Sequence, residues 1–157
     1  MRQTVTAAQL HARLLQADSA SEVARELFGG PVLIRRLACE PMGLSPLQHA
    51  QLRATQAEPA VHRRIALIAG GTPVSEADIW YVPARLWPGM AETLRISDTP
   101  FGLVVRPMQP RRRTLAARVC EAGEPFAIEH EAVLIAAENT PIALVAERYW
   151  QLDTIQH

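Results

Sequence analysis

An α+β fold built on one antiparallel sheet is what this sequence predicts, and three observations lead there. Runs of β-type residues succeed one another between turn residues, from Val32-Leu33-Ile34 near the start to residues 142–150 near the end. Two of these runs, Val61–Ala69 and residues 74–82, are separated only by Gly70-Gly71-Thr72-Pro73. They read as a hairpin of slightly long loop, so the sheet is antiparallel there. Helical spacing is confined to the N-terminus and to a crossover between the third and fourth runs. At 157 residues the chain suits a single domain with one substantial core.

The elements follow in order. Leu10, Leu14 and Leu15 recur at helical spacing over residues 6–17, and Asp18-Ser19 offers a stop and a fresh N-cap for a second helix over residues 20–28. Gly29-Gly30-Pro31 breaks that helix, and a first strand runs from Val32 toward Cys39. Glu40-Pro41-Met42-Gly43 turns the chain, and residues 46–54 favour neither helix nor strand. After the hairpin, Pro83 ends the third strand. A short helix over residues 89–95 and a helical turn over residues 101–105 form the crossover. Strands over residues 113–120, 132–137 and 142–150 complete the sheet, the last entered through Glu138-Asn139-Thr140-Pro141, and a polar end follows over residues 151–157.

Composition narrows the function classes. Sixteen basic residues, all arginine, balance sixteen acidic ones, so no global field draws the chain to nucleic acid or an anionic membrane. No apolar run approaches the roughly 20 residues that span a bilayer, and the N-terminus lacks a signal-peptide core, so a cytoplasmic location is expected. Cys39 and Cys120 show no partnering pattern and read as free buried thiols. The five histidines have no metal-ligand spacing, and no nucleophile-elbow, P-loop or dinucleotide motif occurs.

Strand alternation singles out two charged residues. Arg63 shares a row with Ile65, Leu67 and Ala69, although Arg64, alternating with His62, Ala66 and Ile68, is not excluded by parity. A guanidinium on an interior row needs a carboxylate, from the protein or from a ligand. Glu147 shares a row with Ala143, Val145 and Tyr149, where a carboxylate either pairs with an arginine or has a raised pKa suited to proton transfer. The plain alternative is an internal Arg63–Glu147 salt bridge, or exposure of both at sheet edges. Arg111-Arg112-Arg113 reads as solvated surface at a strand entrance, with anion binding as the alternative.

In this order the segments resemble the chorismate lyase family, whose UTRA-like fold also serves as the ligand-sensing domain of some bacterial transcription regulators. Leu14-Leu15 with Asp18-Ser19 is similar to its opening helix and following loop. Arg63-Arg64-Ile65-Ala66-Leu67, Gly71-Thr72-Pro73 and Tyr81-Val82-Pro83 resemble its central hairpin. Thr99-Pro100-Phe101-Gly102 resembles its Thr-Pro-Leu-Gly turn, with Arg113 at the spacing of a downstream arginine, and Thr140-Pro141 with residues 143–147 resembles its glutamate-bearing last strand.

The resemblance implies a chorismate lyase-like domain over residues 1–157 that converts chorismate to 4-hydroxybenzoate and pyruvate without metal or organic cofactor, as in quinone synthesis. It implies that Arg63 anchors the ring carboxylate, that the Phe101–Gly102 backbone donates to it, and that Glu147 meets the hydroxyl and assists proton removal. Arg113 becomes a second anion contact, residues 18–21 and 97–102 become hinges, and the protein a monomer or weak homodimer. This sequence departs from the pattern in four places. Phe101 stands for a leucine, Ala20 for a larger apolar residue, Asp78-Ile79-Trp80 where an arginine is familiar, and Pro141 lies one residue farther from Glu147, so either a bulge takes up the extra residue or Glu147 faces the wrong side.

Two other readings accompany the lyase. One is a non-catalytic domain of the regulator-sensor type that holds an aromatic acid, and the other a lyase acting on a different chorismate-derived ring. Only about 30 residues precede the first strand, short of a winged-helix module, which favours the enzyme at this stage.

Overall fold

The computed structural model describes Gln9, Ala12, Arg13 and residues 32–151. The N-terminal helices over residues 6–17 and 20–28, the hinge at 18–21, Ala20 and the end beyond Gln151 lie outside the described residues, apart from those three N-terminal positions, which are helical.

Six strands carry the fold: β1 (Val32–Pro41), β2 (Val61–Ala69), β3 (Thr72–Tyr81), β4 (Arg111–Val119), β5 (Phe126–Ala136) and β6 (Thr140–Trp150). They form one sheet in the order β1-β2-β3-β6-β5-β4, and every neighbouring pair is antiparallel. The last strand thus lies in the middle, between β3 and β5. Its position explains why residues 141–145 are buried in succession instead of alternating, because both faces of β6 are covered. The expected strands are all present, with β4 and β6 beginning two residues earlier than predicted and β5 extending from Phe126. Gly70 and Gly71 turn the β2–β3 hairpin with φ of 59° and 82°, a region other residues occupy only under strain.

Among residues 32–151, three short α-helices pack on the sheet: α1 (Pro46–Leu52), α2 (Met90–Ile96) and α3 (Phe101–Val105). The undecided stretch after β1 is therefore helical. Ser45 caps it, accepting from the Gln48 N–H while the Gln48 side chain accepts from the Ser45 N–H, and Pro46 opens the first turn. On one face, α1 buries Leu52 against Val82, Val133, Ile135 and Leu144. On the other, α2 and α3 seal a larger core that includes Ile79, Tyr81, Leu94, Phe101, Val105 and Val145.

The face carrying α1 also bears an ionic ladder across β2, β3 and β6. Arg64 donates to Glu76 at 2.9 Å, Arg148 Nη2 donates to Asp78 Oδ2 at 2.8 Å, and His62 Nε2 lies 2.6 Å from Asp78 Oδ1. Burial pushes the Asp78 carboxyl up, but Arg148 and His62 outweigh it and hold the group below its ordinary 3.8. A carboxyl depressed in the folded state binds its proton later than in the unfolded chain. Its stabilisation is complete above the ordinary aspartate range and is lost as pH falls through the folded value. Urea unfolding between about pH 5 and about pH 2 should show stability falling with acid, and Asp78→Asn should be less stable at neutral pH with a flatter acid limb. An unchanged acid limb in that variant removes Asp78 as the cause.

Candidate functional site

The face beneath α2 and α3 holds a cavity that opens to solvent. Its wall is mostly apolar: Ile34, Ile65, Leu67, Ala77, Ile79, Leu134 and Val145 from the sheet, and Pro100, Phe101 and Gly102 from the start of α3. Polar groups enter at Ser75, Arg112, Glu147 and Tyr149. Strand parity puts them there. Glu147 is the Cα partner of Ala77 on β3, Tyr149 of Ser75, and Arg112 of Leu134 on β5, so all rise from one face.

Glu147 reaches the cavity because β6 carries the extra residue as a bulge. Leu134 pairs with Ala143 while the next residue, Ile135, pairs with Pro141, leaving Ile142 as the insertion. The extra residue noted at Pro141 is thus taken up before Glu147.

The predicted partner of Glu147 is corrected. Arg112 Nη1, not Arg63, donates to Glu147 Oε1 at 2.9 Å, with both side chains nearly sealed from water. Burial works against the charge of Arg112, but the Glu147 carboxylate outweighs it and holds the proton more tightly than usual. Tyr149 OH donates to Glu147 Oε2 over a long 3.3 Å, and burial foremost, then the same carboxylate, pushes the phenol well above its ordinary 10. Tyr149 therefore stays a protonated donor. Arg113 is likewise corrected. It pairs with Val133, points to the opposite face and is exposed, so the arginine that lines the cavity is its neighbour Arg112.

Arg63 is completely buried on the cavity side of β2, whereas Arg64 faces the ladder. Exposure of Arg63 and Glu147 at sheet edges, the other plain alternative, is excluded by their burial in the sheet. Glu147 lies two strands across and one same-face step along from Arg63, which places their Cα atoms about 12 Å apart at ordinary strand spacing. Arg63 Nη2 donates to the carbonyls of Ser97 and Thr99, at 3.0 and 2.8 Å, in the loop that leads into α3. Its Nε and Nη1 have no acceptor among the described residues. The side chain sits beside the cavity, under the loop whose continuation forms the wall, and is not itself part of the lining. Phe101 stacks on Tyr81 with ring centroids 5.4 Å apart, and it and Gly102 line the cavity at the first turn of α3, where backbone N–H groups have no acceptor within the helix.

With this geometry in view, the likenesses to known proteins can be placed. No family model matches the sequence. A curated relative, the uncharacterized protein y4mC of Sinorhizobium fredii, is 38% identical over 113 residues, 59% of this chain and 48% of that protein. The solved effector domain of PhnF from Mycobacterium smegmatis superposes with a TM-score of 0.65 at 15% identity, covering 84% of this chain and 88% of that one. This is the UTRA-type, chorismate lyase-like fold. Whole PhnF gives the same TM-score at 16% identity and 84% coverage of this chain, but only 63% of PhnF is matched. The chain thus spans about half the length of its curated relative and under two thirds of that regulator. The ligand-binding domain of a putative GntR-family transcriptional regulator from Bordetella bronchiseptica has the same fold, with a TM-score of 0.59 at 17% identity over 78% of this chain and 86% of that one. No helix among the described residues is long and apolar enough to cross a membrane.

The ion pair generates a stability prediction. Glu147→Leu leaves Arg112 as a buried lone charge and should cost about 3–5 kcal/mol, while adding Arg112→Met should recover most of the loss. Urea denaturation of the two variants checks this. Equal destabilisation by the single and double changes removes the pair as the cause.

Proposed function

We propose that this UTRA-type domain binds a small organic acid in the cavity and holds it unchanged, as an effector-binding domain does. One observation carries the reading: an apolar cavity in the middle of the sheet ends in a single cluster of Arg112, Glu147, Tyr149 and Ser75. Such a cavity takes an apolar body and fixes one polar end. In this reading the guanidinium edge of Arg112 not committed to Glu147 meets the ligand carboxylate, and Glu147 Oε2 accepts from a ligand hydroxyl. The Phe101–Gly102 backbone closes over the ring, and Arg63 supplies a second cation where the 97–99 loop makes room.

Binding is favoured over elimination by the state of Glu147. Its Oε1 is taken up at 2.9 Å by the Arg112 guanidinium and its Oε2 accepts from Tyr149, so neither oxygen is free to approach a ring proton without breaking a contact. The chorismate lyase reading remains the second one. The β6 bulge supports it, by bringing Glu147 onto the cavity side as that family's spacing requires.

Calorimetry with 4-hydroxybenzoate as probe, beside incubation with chorismate and a coupled pyruvate assay, separates the two. The expected result is saturable binding, lost in the Arg112→Met/Glu147→Leu protein, with no catalytic release of pyruvate. Multiple-turnover pyruvate formation replaces this reading with the lyase. Failure of 4-hydroxybenzoate and a panel of other small carboxylates to bind overturns both.

A further inference from the structure

Cys39 occupies an unusual place for a free thiol. It is the Cα partner of Arg63 across the β1–β2 ladder, so the two side chains rise side by side from one face. Its Sγ lies 3.6 Å from Tyr81 OH. The fully buried Arg63 commits Nη2 to the 97–99 loop and leaves Nε and Nη1 unanswered among the described residues. Arg95, in the last turn of α2, is a second guanidinium within electrostatic reach of the sulfur. Arg36 and Asp98 are the remaining charged groups that act on Arg63. Cys39 is only partly buried. A buried cation short of acceptors is costly, and an anionic or oxygen-bearing sulfur beside it would supply one.

We propose that Cys39 is a peroxide-reactive modification site, with Arg63 holding both its thiolate and its sulfenic acid. The thiolate sulfur attacks one oxygen of hydrogen peroxide, an S–O bond forms as the O–O bond breaks, and hydroxide leaves and takes up a proton as water. Sulfur is oxidised by two electrons and the peroxide is reduced by the same two. The oxygen gained at sulfur accepts from the unanswered Arg63 N–H groups. A thiol reductant reverses the step.

Cys120 is an internal reference. It lies past the end of β4, where burial foremost pushes its thiol above the ordinary 9.0, and the nearby Arg118 is committed to Glu124 and Glu129. Where the anion-binding reading above also holds, oxidation of Cys39 occupies the Arg63 N–H groups and weakens ligand binding. That second consequence rests on the proposed function, and the reactivity of Cys39 does not.

The test treats the full chain with limiting hydrogen peroxide, traps sulfenic acid with dimedone and quantifies each cysteine peptide by mass spectrometry. Cys39 should be labelled about 10-fold faster than Cys120. Arg63→Met, shown to be folded by circular dichroism, should bring Cys39 down to the Cys120 rate. Equal or slower labelling of Cys39 in the wild-type chain overturns the proposal, and so does an undiminished rate in folded Arg63→Met. The wild-type comparison decides the matter alone where that variant does not fold. Calorimetry with 4-hydroxybenzoate before oxidation, after it and after dithiothreitol then reads the coupling. Absence of binding to the reduced protein counts against the functional reading and leaves the labelling result standing.

Discussion

The charge on Arg112 persists inside the sheet because Glu147 faces it from β6 at 2.9 Å, and much of the site's character depends on that pairing. A guanidinium in so dry a place needs an anion, and a carboxylate in the same place needs a cation. Together they form a neutral but strongly polar end to a cavity that is otherwise hydrocarbon. Tyr149 adds a donor that burial keeps protonated. Under the proposed binding function, a ligand entering this space would meet fixed dipoles instead of water, its orientation set by few groups and its affinity by the apolar wall.

The sheet order is what makes the pairing possible. Glu147 stands on the final strand and Arg112 on an edge strand, and they meet only because β6 inserts between β3 and β5 while β5 separates it from β4. The bulge at Ile142 corrects the phase of β6 by one residue, without which Glu147 would face the ladder on the other side. That opposite face puts its charges to structural use, in the pairs of Asp78 with Arg148 and His62 and in the packing of α1 over Leu52. The two faces of one sheet thus differ in kind, one carrying the ion pairs and α1 and the other the cavity.

Arg63 differs from Arg112 in having no carboxylate paired with it among the described residues. It ties the 97–99 loop to the sheet through two carbonyls and leaves Nε and Nη1 without an acceptor among the described residues. Cys39 and Tyr81, its neighbours on β1 and β3, offset part of what burial takes from its charge. This corner of the fold joins the cavity-lining start of α3, a buried cation and a thiol within one small volume.

Much of the fold was legible in the chain because its signals are local. Gly70-Gly71 marks the hairpin through a backbone conformation that glycine adopts freely, and the alternation of β2 separates Arg63 from solvent once its row is known to be interior. The helix α1 was also written locally, in the Ser45-Pro46 start and the Gln48 that completes the capping box, although its short apolar run obscured it. The site was only half legible. Glu147 and Phe101 could be picked out by row and by motif, but Arg112 and Arg113 are adjacent, and nothing in a run of three arginines says which parity faces inward. The sequence by itself determined the elements, the antiparallel hairpin and the residues able to carry charge into a core, because these depend on neighbours along the chain. Only the tertiary structure decided that Arg112 is the partner of Glu147 and that Cys39 lies against Arg63, because strand order and bulges are set by contacts between residues far apart in sequence.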